Sequence, residues 1–401
     1  MTSAMGFDIN DLDGDPEQRE AELARLRRED PVHWDDKNQF WLLTRYADVR
    51  AASKQPELFS SQAKGPWHVF EAHFSMQALD GPEHRRQRGI ASKAFTPRMV
   101  RRLGETARET IHACIDAVAQ QGSCEFVSAL ASPVPLRLIA DMLGLPAEHF
   151  ELFRRWSDTT SSSDPDLRGS PGFTADQARL EALLYEEAAL RRKEPRDDLI
   201  SAVVAAEAEG TLHWGGAESM AGFAKDDLVS FAQFVLLAGN ETTRNAISRG
   251  MLALIQFPEQ LEKLRANPDL LPSAANEILR FTSPVRVLRR VALRDTELRG
   301  KKLHEGDSVC LLYGSANRDE EVFADPDAFR VDRHPNEHLA FGLGPHFCLG
   351  ANLARMEIET VIGILLERLP DLRLAPGARI RESRNPILAA IEEMPVAFTS
   401  R

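Results

Sequence analysis

Ten consecutive residues, Phe341-Gly342-Leu343-Gly344-Pro345-His346-Phe347-Cys348-Leu349-Gly350, restrict this chain more than any other stretch of it. Three glycines frame a lone cysteine at the mouth of a long helical pattern, Leu349 to Leu369. A thiolate needs help to exist at neutral pH, since a free cysteine titrates near about 8.5. A helix N-terminus offers that help through its partial positive charge and unpaired N–H groups. Glycines permit positive φ and let the backbone lie close against a flat group. Phe341 and Phe347 are placed to keep water from the sulfur. With Cys114, Cys124 and Cys310 the cysteine makes no CxxC pair and no zinc spacing.

Three further patterns stand out. Glu277-Ile278-Leu279-Arg280 sets opposite charges at i and i+3 on one helix face, roughly 70 residues before Cys348. Inside a second long helix, Ala238-Gly239-Asn240-Glu241-Thr242-Thr243 puts small residues beside an acid and an alcohol, as a helix passing close to something flat and reactive requires. A threonine there also bends a helix by bonding an earlier carbonyl. Residues 84–102 carry seven Arg or Lys and no acid, although the whole chain has 49 basic against 61 acidic residues and a net charge of −12.

Phe341-Gly342-x-Gly344-x-His346-x-Cys348-x-Gly350 resembles the haem-binding loop of the cytochrome P450 family at every defining position. The resemblance covers essentially the whole chain. It implies a mainly α cytochrome P450 fold, one large helical domain with small accessory β-sheets. A strand-containing part would span about 1–80 and a helix-rich haem-binding part about 81–401. The implied cofactor is heme b (iron protoporphyrin IX), with O2 as co-substrate and Cys348 as axial ligand to the iron. His84, Arg88, Arg290 and His346 are the implied propionate partners, with Arg289 as the alternative one strand residue away; Phe341, Gly342 and Gly350 complete the loop. Glu277, Arg280 and Arg333 correspond to a buried structural triad, and Glu241 and Thr242 to the acid and alcohol of proton delivery.

The implied activity is insertion of one oxygen atom of O2 into a lipophilic small molecule, with electrons from NAD(P)H through a ferredoxin reductase and a ferredoxin. The stretches LAGNETTRN and SANRDEEVF to HFCLG are most similar to the soluble bacterial branch that hydroxylates sterols and branched lipids. Candidate pocket residues are Trp67, Phe70 and Phe74 in an apolar lid loop, Phe231, Val235 and Ala238 on the long helix, and Val287 and Leu288 after the ExxR pair. Nearly all are apolar, which suits a sterol, terpenoid or fatty-acyl ligand; Arg286 is the one candidate carboxylate anchor. The basic run is the expected dock for an acidic ferredoxin. Competing readings are a peroxide-driven P450, a non-catalytic P450-shaped partner protein and a haem sensor. The first typically lacks the acid–alcohol pair, the second the Cys or the loop glycines, and both are present here.

The acidic balance argues against a nucleic-acid binder. The N-terminus has no signal-peptide pattern. The longest greasy stretch, Leu228 to Gly239, falls short of the roughly 18 residues of a membrane span. A cytoplasmic monomer without membrane anchor is expected. Further expectations are a helix from Pro16 to about Arg28, a hairpin over Val32 to Thr44 turning at Asp35–Asn38, an exposed loop over 160–172, a hairpin over Glu207 to Gly216, and a helix of about thirty residues opened by Lys225-Asp226-Asp227 and ending near Pro258.

Overall fold

The computed structural model of the protein describes residues 16–62, 75–162, 164–209 and 227–399. The chain opens with helix α1 (Pro16–Glu29) and a hairpin of β1 (Val32–Asp35) and β2 (Phe40–Leu43). Asp35 closes the turn, its carboxylate accepting from the Asn38 backbone N–H at 3.0 Å and side-chain amide at 2.8 Å. A short strand β3 (Phe59–Ser60) follows. Helices then take over: α2 (Gly81–Ser92), α3 (Pro97–Val118), α4 (Pro133–Leu143), α5 (Phe150–Ser161) and the long α6 (Asp227–Gln256). Among the later elements are α7 (Leu271–Thr282), β4 (Leu288–Ala292), β5 (Ser308–Leu311) and α8 (Ala351–Arg368), with further helices and small sheets of two or three strands elsewhere.

Local chemistry sets these bounds. Thr96 caps α3 by accepting from the Met99 N–H at 3.2 Å, with Pro97 at the first position. Met99, Leu103, Ala107, Ile111, Ile115 and Val118 then form one buried stripe. Gly144 ends α4 at φ 85°. Where α4 meets α6, a Cβ on Gly239 would lie 2.5 Å from Ile139 Cδ1, so only glycine allows the two helices to approach as they do.

The N-terminal strands do not stand alone. They join a five-stranded sheet in the order β1-β2-β5-β4-β3, with Trp41 opposite Val309 in the parallel pair and Arg290 opposite Val309 on the next strand. Two of its five strands come from residues 288–311, so it brings Arg290 to the Cys348 loop. Two sequence expectations are corrected. Glu207 and Ala208 finish a helix, Leu199–Ala208, which Asp198 caps and whose alanines favour helix up to that point; residues 210–216 lie outside the described residues. Within 160–172, Pro165–Arg168 forms a short helical turn. No described helix is long and apolar enough to cross a membrane.

Candidate active site

The Cys348 loop is built as its glycines predict. Gly342 and Gly344 have φ of 65° and 70°, and a Cβ on Gly344 would sit 2.6 Å from the Ser53 carbonyl oxygen. The Cys348 N–H donates to the Phe341 carbonyl at 2.8 Å, and α8 begins three residues later. The thiol is exposed toward a cavity while protein crowds its other sides. Burial pushes its pKa up, opposed by the Gly350 N–H and by the positive charges of Arg88 and Arg355. Arg355 stacks 4.6 Å above the Phe341 ring, and Phe341 meets Phe347 edge-on at 6.3 Å. Phe341 is buried, whereas Phe347 is exposed.

Behind this loop stands the triad. Arg280 donates to both oxygens of Glu277 at 2.8 Å, and Arg333 Nε reaches the same carboxylate at 3.1 Å. All three are buried. Their remaining donors satisfy main-chain carbonyls of Asn317, Ala324, Asp325, Pro326 and Ala328. The irregular connection that delivers the Cys348 loop is thus held by charge-assisted hydrogen bonds.

The cavity over Cys348 has a volume of about 260 Å³. His84 and Arg88, one turn apart on α2, line it together with Arg290 and His346. Arg289, facing the other side of β4, does not. His346 Nε2 lies 3.0 Å from Asp80 Oδ1 and 3.1 Å from Ser61 Oγ, and its ring stacks on His84 at 4.2 Å. The Nδ1 of buried His84 has no hydrogen-bond partner among the described residues. Burial, then the charges of His346 and Arg88, push its pKa down to about 4. Arg88 donates to the Phe347 carbonyl at 2.6 Å and Arg290 to the Arg289 carbonyl at 2.8 Å, and neither has a carboxylate partner among the described residues.

The opposite wall is α6. There Ala238 is exposed, Gly239 and Thr242 are half-buried, and all three line the cavity within an otherwise buried helix. Thr242 Oγ1 donates to the Ala238 carbonyl at 3.1 Å. Glu241 faces elsewhere, into a separate cavity of about 270 Å³. Its carboxylate accepts from Arg244 at 2.6 Å and from Ser157 Oγ at 3.3 Å. Arg244 also donates to Asp158 at 2.8 Å, and Asp158 accepts from Arg154 at 2.9 Å.

Of the proposed pocket residues, Val235, Ala238 and Leu288 line the Cys348 cavity. Phe231 and Val287 do not. Phe231 sits roughly 10 Å along the helix axis from Ala238 and is packed into the main core. The irregular backbone between Val285 and Leu288 turns Val287 into a different apolar cluster with Leu312. Trp67, Phe70 and Phe74 lie outside the described residues. The sequence reading missed Ile139, Phe234 and Val285 in the wall, and Ser157, Asp158 and Arg244 around Glu241. Only Arg244 carried a signal, the i+3 spacing from Glu241.

A family model for cytochrome P450 matches residues 175–390. A methyl-branched lipid omega-hydroxylase of Mycobacterium tuberculosis is 40% identical, covering 89% of this chain and 86% of that protein. A steroid C26-monooxygenase of the same species is 37% identical over all of this chain and 98% of its own. The chain is a cytochrome P450. Among solved structures, CYP109E1 from Bacillus megaterium in complex with testosterone superposes with a TM-score of 0.81 at 32% identity, covering 94% of this P450 and 97% of that chain. The helical fold with small sheets is the P450 fold, the enzyme class is monooxygenase, and the family's cofactor is thiolate-ligated haem with O2 as co-substrate. The cavity of this P450 fits that group: cationic side chains and an orphaned histidine nitrogen suit two carboxylates, the glycine-framed thiol suits the iron, and Ala238 and Gly239 leave room for a flat ring.

Proposed function

We propose that this P450 hydroxylates a lipophilic substrate of the sterol, branched-lipid, terpenoid or fatty-acyl type. The observation that carries this reading is the wall opposite Cys348, where Ile139, Phe234, Val235, Ala238, Val285 and Leu288 present apolar surface. The relatives named for branched lipids and steroids support it.

Cys348 would ligate the iron, with His84, Arg88, Arg290 and His346 holding the propionates. Bound haem supplies the oxygen-activating chemistry; the chain supplies position, dryness and protons. The apolar wall orients the substrate and excludes water. Thr242 presents its hydroxyl to the cavity from a position fixed by the Ala238 carbonyl. Glu241 exchanges protons with the second cavity, and water passes them on toward the Thr242 hydroxyl. The bonds from Arg244 and Ser157 hold its carboxylate in place beside the second cavity.

Electrons would come from NAD(P)H through a ferredoxin reductase and an acidic ferredoxin. Arg85, Arg86, Lys93, Arg98, Arg101 and Arg102 are all exposed, an inverted patch on an acidic protein. Retention of Glu241 and Thr242 favours this route over direct use of peroxide. The test is a titration of the ferric protein with sterols, branched fatty acids, terpenes and aromatic acids. Lipids should convert the low-spin spectrum to high spin; a response confined to aromatic acids would reject the assignment.

A further inference from the structure

A third cavity lies apart from both the Cys348 site and the one beside Glu241, where α1, the end of α7 and the segment leading into β4 meet α6. Its volume is about 90 Å³, and it is lined by four arginines, Arg19, Arg249, Arg286 and Arg318. Two carboxylates answer them. Glu382 accepts from Arg249 at 2.9 Å but reaches Arg286 only at 4.0 Å, and Glu20 stands 3.8 Å from Arg318. Arg318 is otherwise committed: it donates to Asp327 at 2.6 Å and lies 4.6 Å above the Phe281 ring. Arg19 has no ion pair among the described residues.

Arg286 is the central group. Its main chain is clamped, the N–H donating to the Ile387 carbonyl at 2.7 Å and the carbonyl accepting from Gly314 at 3.0 Å. The guanidinium makes no hydrogen bond among the described residues, although the side chain is only 24% exposed. Burial, then the facing charges of Arg249 and Arg19, push its pKa down to about 9 against the pull of Glu382 and Glu20. It is still a cation at neutral pH, and a largely buried cation whose one ion pair among the described residues is stretched to 4.0 Å is costly.

We infer that this cavity is an oxyanion site in which Arg286, Arg249 and Arg19 take one phosphate or carboxylate group. The fork of guanidinium donors matches both groups, while Leu23, Val287 and Leu312 offer an apolar floor to whatever carries the anion. The site touches the active-site wall through one short segment. Pro284, Val285 and Leu288 line the Cys348 cavity, and Arg286 and Val287 line this one. An anion here therefore fixes a segment that shapes the substrate cavity, and the two ligands would affect each other's affinity reciprocally.

The test is calorimetric titration of the haem-loaded protein with inorganic phosphate, a phosphomonoester and acetate at constant ionic strength. Saturable binding of at least one of them is expected, and their order separates phosphate from carboxylate carriers. Arg286→Gln should weaken it by roughly tenfold or more, the worth of a charge-assisted hydrogen-bond pair, with the reduced CO spectrum unchanged. Arg249→Gln replaces it should Arg286→Gln fail to fold. A double Arg101→Ala, Arg102→Ala variant should bind as wild type, excluding the basic run. No saturable binding by any of the three anions, equal binding in the Gln variant that folds, or loss in the Arg101/Arg102 variant would overturn the assignment.

Discussion

Glu241 and Thr242 are neighbours in sequence yet open onto different cavities, Thr242 onto the one that holds Cys348 and Glu241 onto one lined by Arg154, Asp158 and Arg244. A step of about 100° around the helix is enough to separate them. Acid and alcohol therefore have distinct tasks. Thr242→Ala should leave the spin-state titration nearly unchanged while the ratio of product to NADH consumed falls and hydrogen peroxide rises. Full coupling at the wild-type rate would show that Thr242 is only a helix residue.

Glu241→Gln keeps the shape but removes the titratable oxygen and the ion pair to Arg244. Turnover should slow by roughly 10-fold to 100-fold, the usual scale of a lost proton-transfer group, with an altered solvent isotope effect. Arg244→Ala should reproduce part of that loss without touching substrate affinity. Unchanged isotope effects in both variants would move proton delivery elsewhere.

Cys348→Ser should abolish the strongly red-shifted Soret band of the reduced CO complex. Arg88→Ala should keep that band but lower the ratio of Soret to protein absorbance after dialysis, since it removes one of the cations facing the cavity.

Glu277 accepts from Arg280 and Arg333 with no solvent contact. Glu277→Ala strands two buried cations, at a cost of about 3–5 kcal/mol. Denaturant unfolding of the apoprotein and the yield of haem-loaded protein measure it; a loss below about 1 kcal/mol would mean that water replaces the carboxylate.

Glu357, on α8, is buried with one oxygen unpartnered among the described residues, and burial raises its pKa well above 4.5. The folded state then holds a proton that the unfolded chain gives up as pH rises past 4.5. Stability from this group is undiminished below that value and is progressively lost above it. Glu357→Gln removes the dependence, so its melting temperature should gain on wild type between about pH 5 and about pH 8. A constant gap across that range would mean that Glu357 is ionised in the fold.

How far the sequence carried can be traced residue by residue. The Cys348 loop, the Glu277–Arg280 pair and the Glu241–Thr242 step were legible because each is local, with spacing and chemistry inside a few positions. Arg333 was legible only by family resemblance, since 56 residues separate it from Glu277. Ser157 and Asp158 were invisible, being brought to Glu241 by packing of α5 on α6. Phe231 and Val287 were misplaced for a related reason: an apolar side chain near a motif has several apolar surfaces to choose from, and only the three-dimensional path of the backbone decides among them.

The contact of Gly239 with Ile139 makes these two positions a single unit of volume shared between helices, and both border the substrate cavity. Bulk added at 239 must be taken from 139, so neither can drift alone without prising α6 from α4. The cavity wall is accordingly freer to change shape at Val285, which precedes strand β4, than along the long helix.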